Sequence, residues 1–262
     1  MDDQAPLIIA GISAGYRKVT VVEDFSLAPI APGEVVSLLG PNAAGKTTIL
    51  RSLAGLHKAS GSVQLGTREL MDMPLAEHAR YVTYMPQSLP DRVGLTVTEA
   101  VMSALRAGPA DDSAANMRDL LDTAMEVIEQ VGITHLASRE LGQLSGGQRQ
   151  LASLAQALVR RPRVLLLDEP ISALDLHYQL KVMKLIRQIA SSDAMTVIMV
   201  LHDLSMAARW SDRVVLLADG KVEVEGTPEE ALTAQRLAKV YQVSAAVTRG
   251  EHGLSIAIHD TI

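Results

Sequence analysis

Residues 40–47, with the sequence GPNAAGKT, constrain the fold of this chain more than any other segment. They fit the pattern G-x-x-x-x-G-K-[ST] and lie between a strand-like run at 34–39 and a helical pattern at 46–56. The glycines allow the backbone to turn tightly, so that successive N–H groups and the N-terminus of the helix point at one phosphate. We therefore expect a phosphate-binding loop in which Lys46 reaches the β- and γ-phosphates of a nucleotide and the Thr47 hydroxyl ligates Mg²⁺. The simpler alternative is a glycine-rich turn that only caps a helix.

A second apolar run, residues 164–167, ends in the carboxylates Asp168 and Glu169. A buried parallel strand has a continuous apolar sequence, and the sites of α/β proteins lie at the carboxyl ends of such strands. We expect Asp168 to hold Mg²⁺, directly or through water, and Glu169 to face the attacking water as a general base or positioning group. Alone, the pair would more simply be a solvated acidic turn, but the phosphate loop favours the catalytic interpretation.

A third motif, LSGGQ, occupies residues 144–148. Ser145 and the two glycines, placed at the start of a helix, can present a hydroxyl group and bare N–H groups to a phosphate. The same residues would also serve as an ordinary helix cap. Because the chain then carries two anion sites, the pattern suggests two surfaces that close on one nucleotide.

The rest of the chain alternates strand-like and helical patterns, which is typical of an α/β fold with parallel strands. Between residues 88 and 160 the periodicity is helical, so a mostly helical segment interrupts the alternation. The predicted strands cover residues 7–9, 19–22, 34–39, 62–65, 81–84, 163–167, 195–201 and 214–217. The predicted helices cover 46–56, 97–105, 117–131 and 175–190, with two more that begin near Gly146 and at Thr227.

The composition excludes several other classes of protein. Among the 262 residues there is no cysteine, which excludes disulfides, thiolate zinc sites and cysteine catalysis. The longest apolar runs have about six residues, whereas a membrane-spanning helix needs ~20, so we do not expect an integral membrane protein. The net charge of −6 gives no general attraction to nucleic acid. No basic segment precedes an apolar stretch at the N-terminus, which makes the cytosol the expected compartment.

With these motifs in order, the chain resembles the ATP-binding cassette (ABC) family, the nucleotide-binding subunits of ABC transporters, from Tyr16 to about Tyr241. The resemblance implies an α/β fold: a P-loop NTPase (ABC ATPase) core with an N-terminal antiparallel β subdomain and an inserted α-helical subdomain. The core and β subdomain would comprise residues 1–87 and 161–242, the helical subdomain residues 88–160, and a C-terminal tail residues 243–262. The family also implies a head-to-tail homodimer that binds two ATP molecules and Mg²⁺ in its interface.

The resemblance further implies roles for single residues. Tyr16 would stack on adenine, Asp175 would communicate across the dimer, and His202 would contact the γ-phosphate. Gln87 would touch Mg²⁺ or the attacking water and link the site to the helical segment. The implied catalytic residues are Glu169, His202, Gln87 and Lys46, and the implied metal ligands are Thr47, Gln87 and Asp168. The implied nucleotide-binding residues are Tyr16, Gly40, Pro41, Asn42, Ala43, Ala44, Gly45, Lys46, Thr47, Thr48, Ser145, Gly146, Gly147, Gln148 and Asp175.

Two positions depart from the family pattern. Ala43 stands where many members have glycine, which implies that the position tolerates a Cβ atom. Ile171 replaces a common threonine. Neither change removes a phosphate, metal or base contact, so we expect a competent ATPase.

Residues 145–150, 174–179 and 202–220 further resemble the importer ATPases for ferric siderophores, haem and cobalamin. That resemblance implies a homodimer that lies peripherally at the cytoplasmic face of the inner membrane and energises import. Its partners would be polytopic permease subunits and an extracytoplasmic solute-binding protein, with no nucleic acid. The ATPase of an exporter and a soluble cassette that acts on ribosomes or DNA remain the alternatives. The solute itself cannot be deduced, because it never touches this subunit.

Overall fold

The computed structural model of the chain describes residues 5–17, 19–87, 94–107, 116–250 and 253–262. Its strands are β1 (Leu7–Tyr16), β2 (Val19–Ile30), β3 (Val35–Leu39), β4 (Ala59–Leu65), β5 (Arg68–Glu69), β6 (Val82–Met85), β7 (Val164–Asp168), β8 (Thr196–Val200), β9 (Arg213–Ala218), β10 (Lys221–Gly226), β11 (Val243–Gly250) and β12 (Gly253–Thr261). Its helices are α1 (Lys46–Leu53), α2 (Leu75–His78), α3 (Val97–Arg106), α4 (Met117–Val131), α5 (Gly146–Leu158), α6 (Leu176–Asp193), α7 (Leu204–Trp210), α8 (Pro228–Ala231) and α9 (Ala234–Tyr241). Short 3-10 turns at Thr134–Leu136 and Leu141–Gln143 lie between α4 and α5.

A six-stranded sheet in the order β10-β9-β3-β8-β7-β6 forms the centre of the fold. The strands from β9 to β6 run parallel, and β10 pairs antiparallel with β9 at the edge. Every residue of β3, β7 and β8 is buried, which explains why four of the five residues in each strand are apolar. Because β3, β8 and β7 are parallel neighbours, the loops that follow them meet at one edge of the sheet.

A four-stranded antiparallel sheet in the order β2-β1-β4-β5 packs beside the central one and confirms the expected β subdomain. Its buried face carries large side chains, among them Leu7, Ile9, Ile12 and Phe25. The strand predicted at 7–9 is too short, since β1 continues to Tyr16. The second half of β1 contains little strand-typical sequence, and it is held extended because β2 and β4 pair with it on both sides.

The predicted helices between residues 94 and 160 are confirmed where the structure describes them. Thr96 and Glu99 form a capping box at the start of α3, and Asn116 caps α4, which ends at the left-handed Gly132. The apolar faces of α3, α4 and α5 pack on one another and on the main core. Within the described parts of the chain, no helix combines the length and the apolarity that crossing a bilayer requires.

Residues 243–262, which the sequence leaves as a tail, form an antiparallel hairpin of β11 and β12. One face of the hairpin packs against the main core through five half-buried side chains: Val243, Ala245, Val247, Leu254 and Ile256. The alternation is hard to recognise in the sequence because alanine and serine occupy many of its positions. In this hairpin His259 is exposed, and His252 lies outside the described residues.

One arginine joins the two large sheets. Arg213, the first residue of β9, donates to both carboxylate oxygens of Glu34, at 2.7 and 2.9 Å, and to Glu225 of β10 at 2.6 Å. Its guanidinium also donates to the backbone carbonyls of Ala28 and Pro29 in β2, at 2.9 and 3.1 Å. The three charged side chains are largely buried, so this network is shielded from solvent screening.

Replacing Arg213 by methionine should lower the free energy of unfolding by about 2–3 kcal/mol, because two largely buried carboxylates would lose their partner. Lys221→Met is the matched control: its ion pair with Glu23 is exposed, so little change is expected. Urea unfolding followed by circular dichroism measures both variants. Equal stability of the Arg213 variant and the wild type would show that the network does not hold the sheets together.

Candidate functional site

The loop between β3 and α1 has the backbone shape that its glycines predict. Gly40 has φ 147° and Gly45 has φ 90°, conformations that residues with a side chain rarely adopt. A Cβ atom on Gly40 would lie 2.3 Å from the carbonyl oxygen of Leu217, so the close approach of β9 also requires glycine. The Lys46 ammonium donates to the carbonyls of Gly40 and Pro41, at 2.7 and 2.8 Å. Burial lowers the pKa of Lys46, while the charges of Glu169 and Asp168 oppose that shift.

Ala43 has φ 66°, in the left-handed region that glycine adopts more readily. The loop therefore accommodates the Cβ atom that the sequence places there, in a backbone conformation unfavourable for alanine. This geometry explains why glycine suits the position and why alanine is the smallest departure from it.

The Asp168 carboxylate, at the end of β7, is held through both of its oxygens. Thr47 Oγ1 donates to Oδ1 at 3.1 Å, and the Tyr84 hydroxyl donates to Oδ2 at 3.0 Å. Burial raises the pKa of Asp168, and the hydrogen bonds from Tyr84 and Thr47 counteract part of that rise. Burial also raises the pKa of Tyr84 to about 12, so its hydroxyl remains a donor.

The Glu169 carboxylate contacts two other residues that are expected to be catalytic, Gln87 and His202. Gln87 Nε2 donates to one carboxylate oxygen at 2.8 Å, and His202 Nε2 lies 2.7 Å from the other. The Glu169 side chain is 16% exposed, so most of it is shielded from solvent. His202 follows β8 and therefore lies at the same sheet edge as Gly40, which follows β3, and Glu169, which follows β7.

These residues surround a cavity of about 280 Å³, lined by Val21, residues 42–48, Glu169, Val200 and His202. A hydroxyl and a buried carboxylate, on Thr47 and Asp168, form the kind of oxygen donor set that Mg²⁺ prefers. Among the described residues, no group of three or more His, Cys, Asp or Glu side chains is placed to hold a metal ion. The donor set therefore fits a magnesium ion that takes its remaining ligands from phosphate oxygens and water.

The LSGGQ residues lie at a separate cavity. Ser145 caps α5, and its side chain and that of Gln148 form a capping box. A Cβ atom on Gly147 would lie 2.9 Å from the carbonyl oxygen of Ala173, so the helix approaches this loop too closely for another residue. A cavity of about 400 Å³ is lined by residues 145–148 together with Ala173, Leu174 and Asp175. The structure thus brings Asp175 to Ser145 and leaves both apart from the phosphate loop of the same chain.

Tyr16 is 47% exposed at the end of β1. Its ring lies 4.5 Å, centroid to centroid, from that of His57, which also bonds the Gly15 carbonyl at 3.0 Å. The Arg51 side chain contacts both Tyr16 and Tyr84, and these contacts raise the pKa of Arg51. The tyrosine is therefore held from one side and keeps a ring face for another planar group.

Three residues of the site are missed by sequence motifs: Arg51, Tyr84 and Tyr241. Sheet pairing brings Tyr84 to Asp168, because β6 pairs with β7 and Tyr84 lies opposite Leu166, two residues before Asp168 and on the same face. Tyr241 ends α9, and its buried hydroxyl accepts a hydrogen bond from the backbone of Gly40, while burial raises its pKa to about 12. No sequence pattern links residue 241 to the phosphate loop.

Comparisons with known proteins identify the family. The family model described as "ABC transporter" matches residues 23–172. The hemin import ATP-binding protein HmuV of Bordetella pertussis is 39% identical over 236 residues, which cover 87% of this chain and 88% of that protein. The petrobactin import ATP-binding protein FpuC of Bacillus anthracis is 38% identical, with 84% and 81% covered. The chain belongs to the ABC transporter family and is an ATP-binding ATPase of that family.

Solved structures agree with the fold. A dimeric, post-hydrolysis ATP-binding cassette bound to ADP and Pi has a TM-score of 0.78 and 28% identity, and the match covers 85% of this chain and 98% of that one. An inward-facing ABC transporter, provisionally classed as metal-chelate type, has a TM-score of 0.80 at 24% identity, with 99% and 98% covered. At 24% identity, the match with the inward-facing transporter supports the fold alone, and it extends over the C-terminal hairpin.

Replacing Tyr84 by phenylalanine should raise the Mg²⁺ concentration for half-maximal ATPase activity about tenfold, because one oxygen of Asp168 loses its donor. Tyr81→Phe is the control, since Tyr81 precedes the same strand and its ring contacts Arg68 rather than a carboxylate. Mn²⁺ binding to the nucleotide complex, followed by electron paramagnetic resonance, gives a readout independent of turnover. An unchanged metal dependence in the Tyr84 variant would remove this tyrosine from the metal site.

Proposed function

We propose that this chain is the ATP-hydrolysing subunit that energises a membrane importer of an iron complex, a siderophore or haem. The observation that carries the proposal is its 38–39% identity with hemin and petrobactin import ATP-binding proteins over more than four fifths of each chain. The cobalamin alternative expected from the sequence has less support, since the relatives reported above are named for iron complexes. An exporter ATPase would use the same site, and the membrane partner distinguishes the two.

The active assembly in this proposal is a head-to-tail homodimer. Each ATP lies between the phosphate loop of one copy and Ser145–Gln148 of the other. Two observations support this arrangement. The phosphate loop and Ser145–Gln148 line separate cavities in one chain, and a related cassette with 28% identity is dimeric with ADP and Pi bound. In a head-to-tail dimer, each phosphate-loop cavity would face the LSGGQ cavity of the other copy.

The chemistry in this proposal is in-line attack of water on the γ-phosphate. Lys46 and the loop N–H groups hold the phosphates, and Tyr16 stacks on the base. Mg²⁺, held by Thr47, Asp168 and Gln87, would neutralise charge on the β- and γ-phosphate oxygens. Glu169 accepts a hydrogen bond or proton from the attacking water, and His202 and Gln87 fix its carboxylate. Most of the catalysis is electrostatic stabilisation of developing charge.

Hydrolysis removes the γ-phosphate that joins the two copies, so the dimer opens. The helical segment 88–160, linked to the site through Gln87, carries this motion to polytopic permease subunits at the cytoplasmic face of the membrane. A solute-binding protein would deliver the iron complex from outside. The net charge of −6 gives no support to a nucleic-acid partner.

Glu169→Gln should bind ATP but hydrolyse it at least about a hundredfold more slowly, because an amide cannot accept the proton of the attacking water. Glu129→Gln, on the exposed face of α4, is the control with the same chemical change and no contact with the site. Phosphate release and filter binding of labelled ATP measure the two properties separately. Near-wild-type turnover by the Glu169 variant would remove this carboxylate from the proposed role.

The Glu169→Gln variant also tests the partner. When it is tagged and incubated with Mg-ATP in detergent-solubilised membranes of its native cell, it should retain a permease with about ten ~20-residue spans. Reconstituted with that permease, wild-type ATPase activity should respond to a binding protein loaded with haem or a ferric siderophore, and not to cobalamin. Capture of ribosomal proteins or nucleic acid without a membrane protein would contradict the transport function.

A further inference from the structure

Gln150 connects two motifs that the mechanism treats separately. It lies on α5, five residues after Ser145, and is 6% exposed. Its side-chain amide donates to the backbone carbonyl of Glu169 and to Ser172 Oγ, the latter at 3.5 Å. Its carbonyl oxygen accepts the backbone N–H of Ala173 at 3.0 Å. One buried side chain therefore spans the loop that begins at the catalytic carboxylate.

The backbone of this loop needs such support. Glu169 has φ 53°, a left-handed conformation that a residue with a Cβ atom adopts only where its surroundings impose it. The Ser172 hydroxyl donates to the same Glu169 carbonyl at 3.2 Å. From the opposite side Gln179 of α6 donates to the carbonyls of Ile171 and Leu174, at 3.2 and 3.1 Å. Two glutamines on two helices thus fix the loop.

The left-handed turn at Glu169 directs its carboxylate towards Gln87 and His202. A relaxed backbone at this residue would rotate the carboxylate away from both. We propose that Gln150 is the positioning residue that holds Glu169 in this turn, and that it thereby ties the orientation of the catalytic carboxylate to the helix that begins at Ser145. The proposal rests on the hydrolytic role of Glu169 proposed above.

Gln150→Met tests the proposal because methionine has a similar length and can make none of the three hydrogen bonds. Its kcat should fall about 10- to 100-fold, since small displacements of a catalytic group have effects of that size, while the ATP concentration for half-saturation stays within about twofold. Gln156→Met is the control: Gln156 lies on the same helix, and among the described residues its side chain donates only to the Ala152 carbonyl of that helix. Its kcat should match that of the wild type.

A double-mutant cycle separates positioning from a general structural effect. In a Glu169→Gln background, Gln150→Met should cause no further loss in single-turnover hydrolysis, because the group that it positions is already absent. Losses that multiply, or a Gln150→Met enzyme with wild-type kcat, would overturn the proposal. High turnover by Glu169→Gln alone would instead refute the role of Glu169.

If the methionine variant does not fold, Gln150→Glu replaces it in the cycle. Glutamate keeps an acceptor for the Ala173 N–H and removes the amide N–H group that donates to the Glu169 carbonyl and to Ser172 Oγ. It should show the same loss of kcat and the same absence of further loss in the Glu169→Gln background. Wild-type kcat in this variant would overturn the proposal as well.

Discussion

The parallel pairing of β3, β8 and β7 brings the parts of the candidate site together. These three buried strands end at one edge of the sheet, and each is followed by a part of the candidate site: the phosphate loop after β3, Glu169 after β7 and His202 after β8. Residues more than 150 positions apart in the chain become neighbours for this reason, as Lys46 and His202 do around one cavity. The aliphatic core that holds the sheet together therefore also sets the geometry of the site.

Around that edge, buried polar groups are fixed mainly by hydrogen bonds to one another. Asp168 is bonded through both oxygens, Glu169 through both oxygens and its carbonyl, and the Lys46 ammonium through two loop carbonyls. In a low dielectric such groups are costly unless they are satisfied, and when satisfied they define one arrangement. This preorganisation is what electrostatic catalysis requires, because the donors need not reorganise as charge develops. The strained turn at Glu169 is tolerated within the same network.

The sequence predicts those parts of the site in which a motif of neighbouring residues supplies the contacts. The glycines of the phosphate loop, the two carboxylates at the end of β7 and the cap at Ser145 can be predicted from the sequence, because each of these positions requires its residue type. The sequence does not predict the roles of Tyr84, Arg51 and Gln150. Their partners lie on other elements and become neighbours only through sheet pairing and helix packing. The C-terminal hairpin was missed for a related reason: its strands are defined by pairing and by contact with the core rather than by strongly strand-forming residues.

We propose that each ATP is hydrolysed between two copies of the chain, and complementation of two inactive variants tests this shared site. Ser145→Arg removes the LSGGQ contribution, and Glu169→Gln removes the carboxylate that we propose to be catalytic. Neither homodimer should hydrolyse ATP. In a mixed dimer, one site combines the intact Glu169 of one copy with the intact Ser145 of the other, so random mixing should restore about a quarter of wild-type activity if the two sites act independently. No recovery in mixed dimers isolated through two different tags would contradict the shared site.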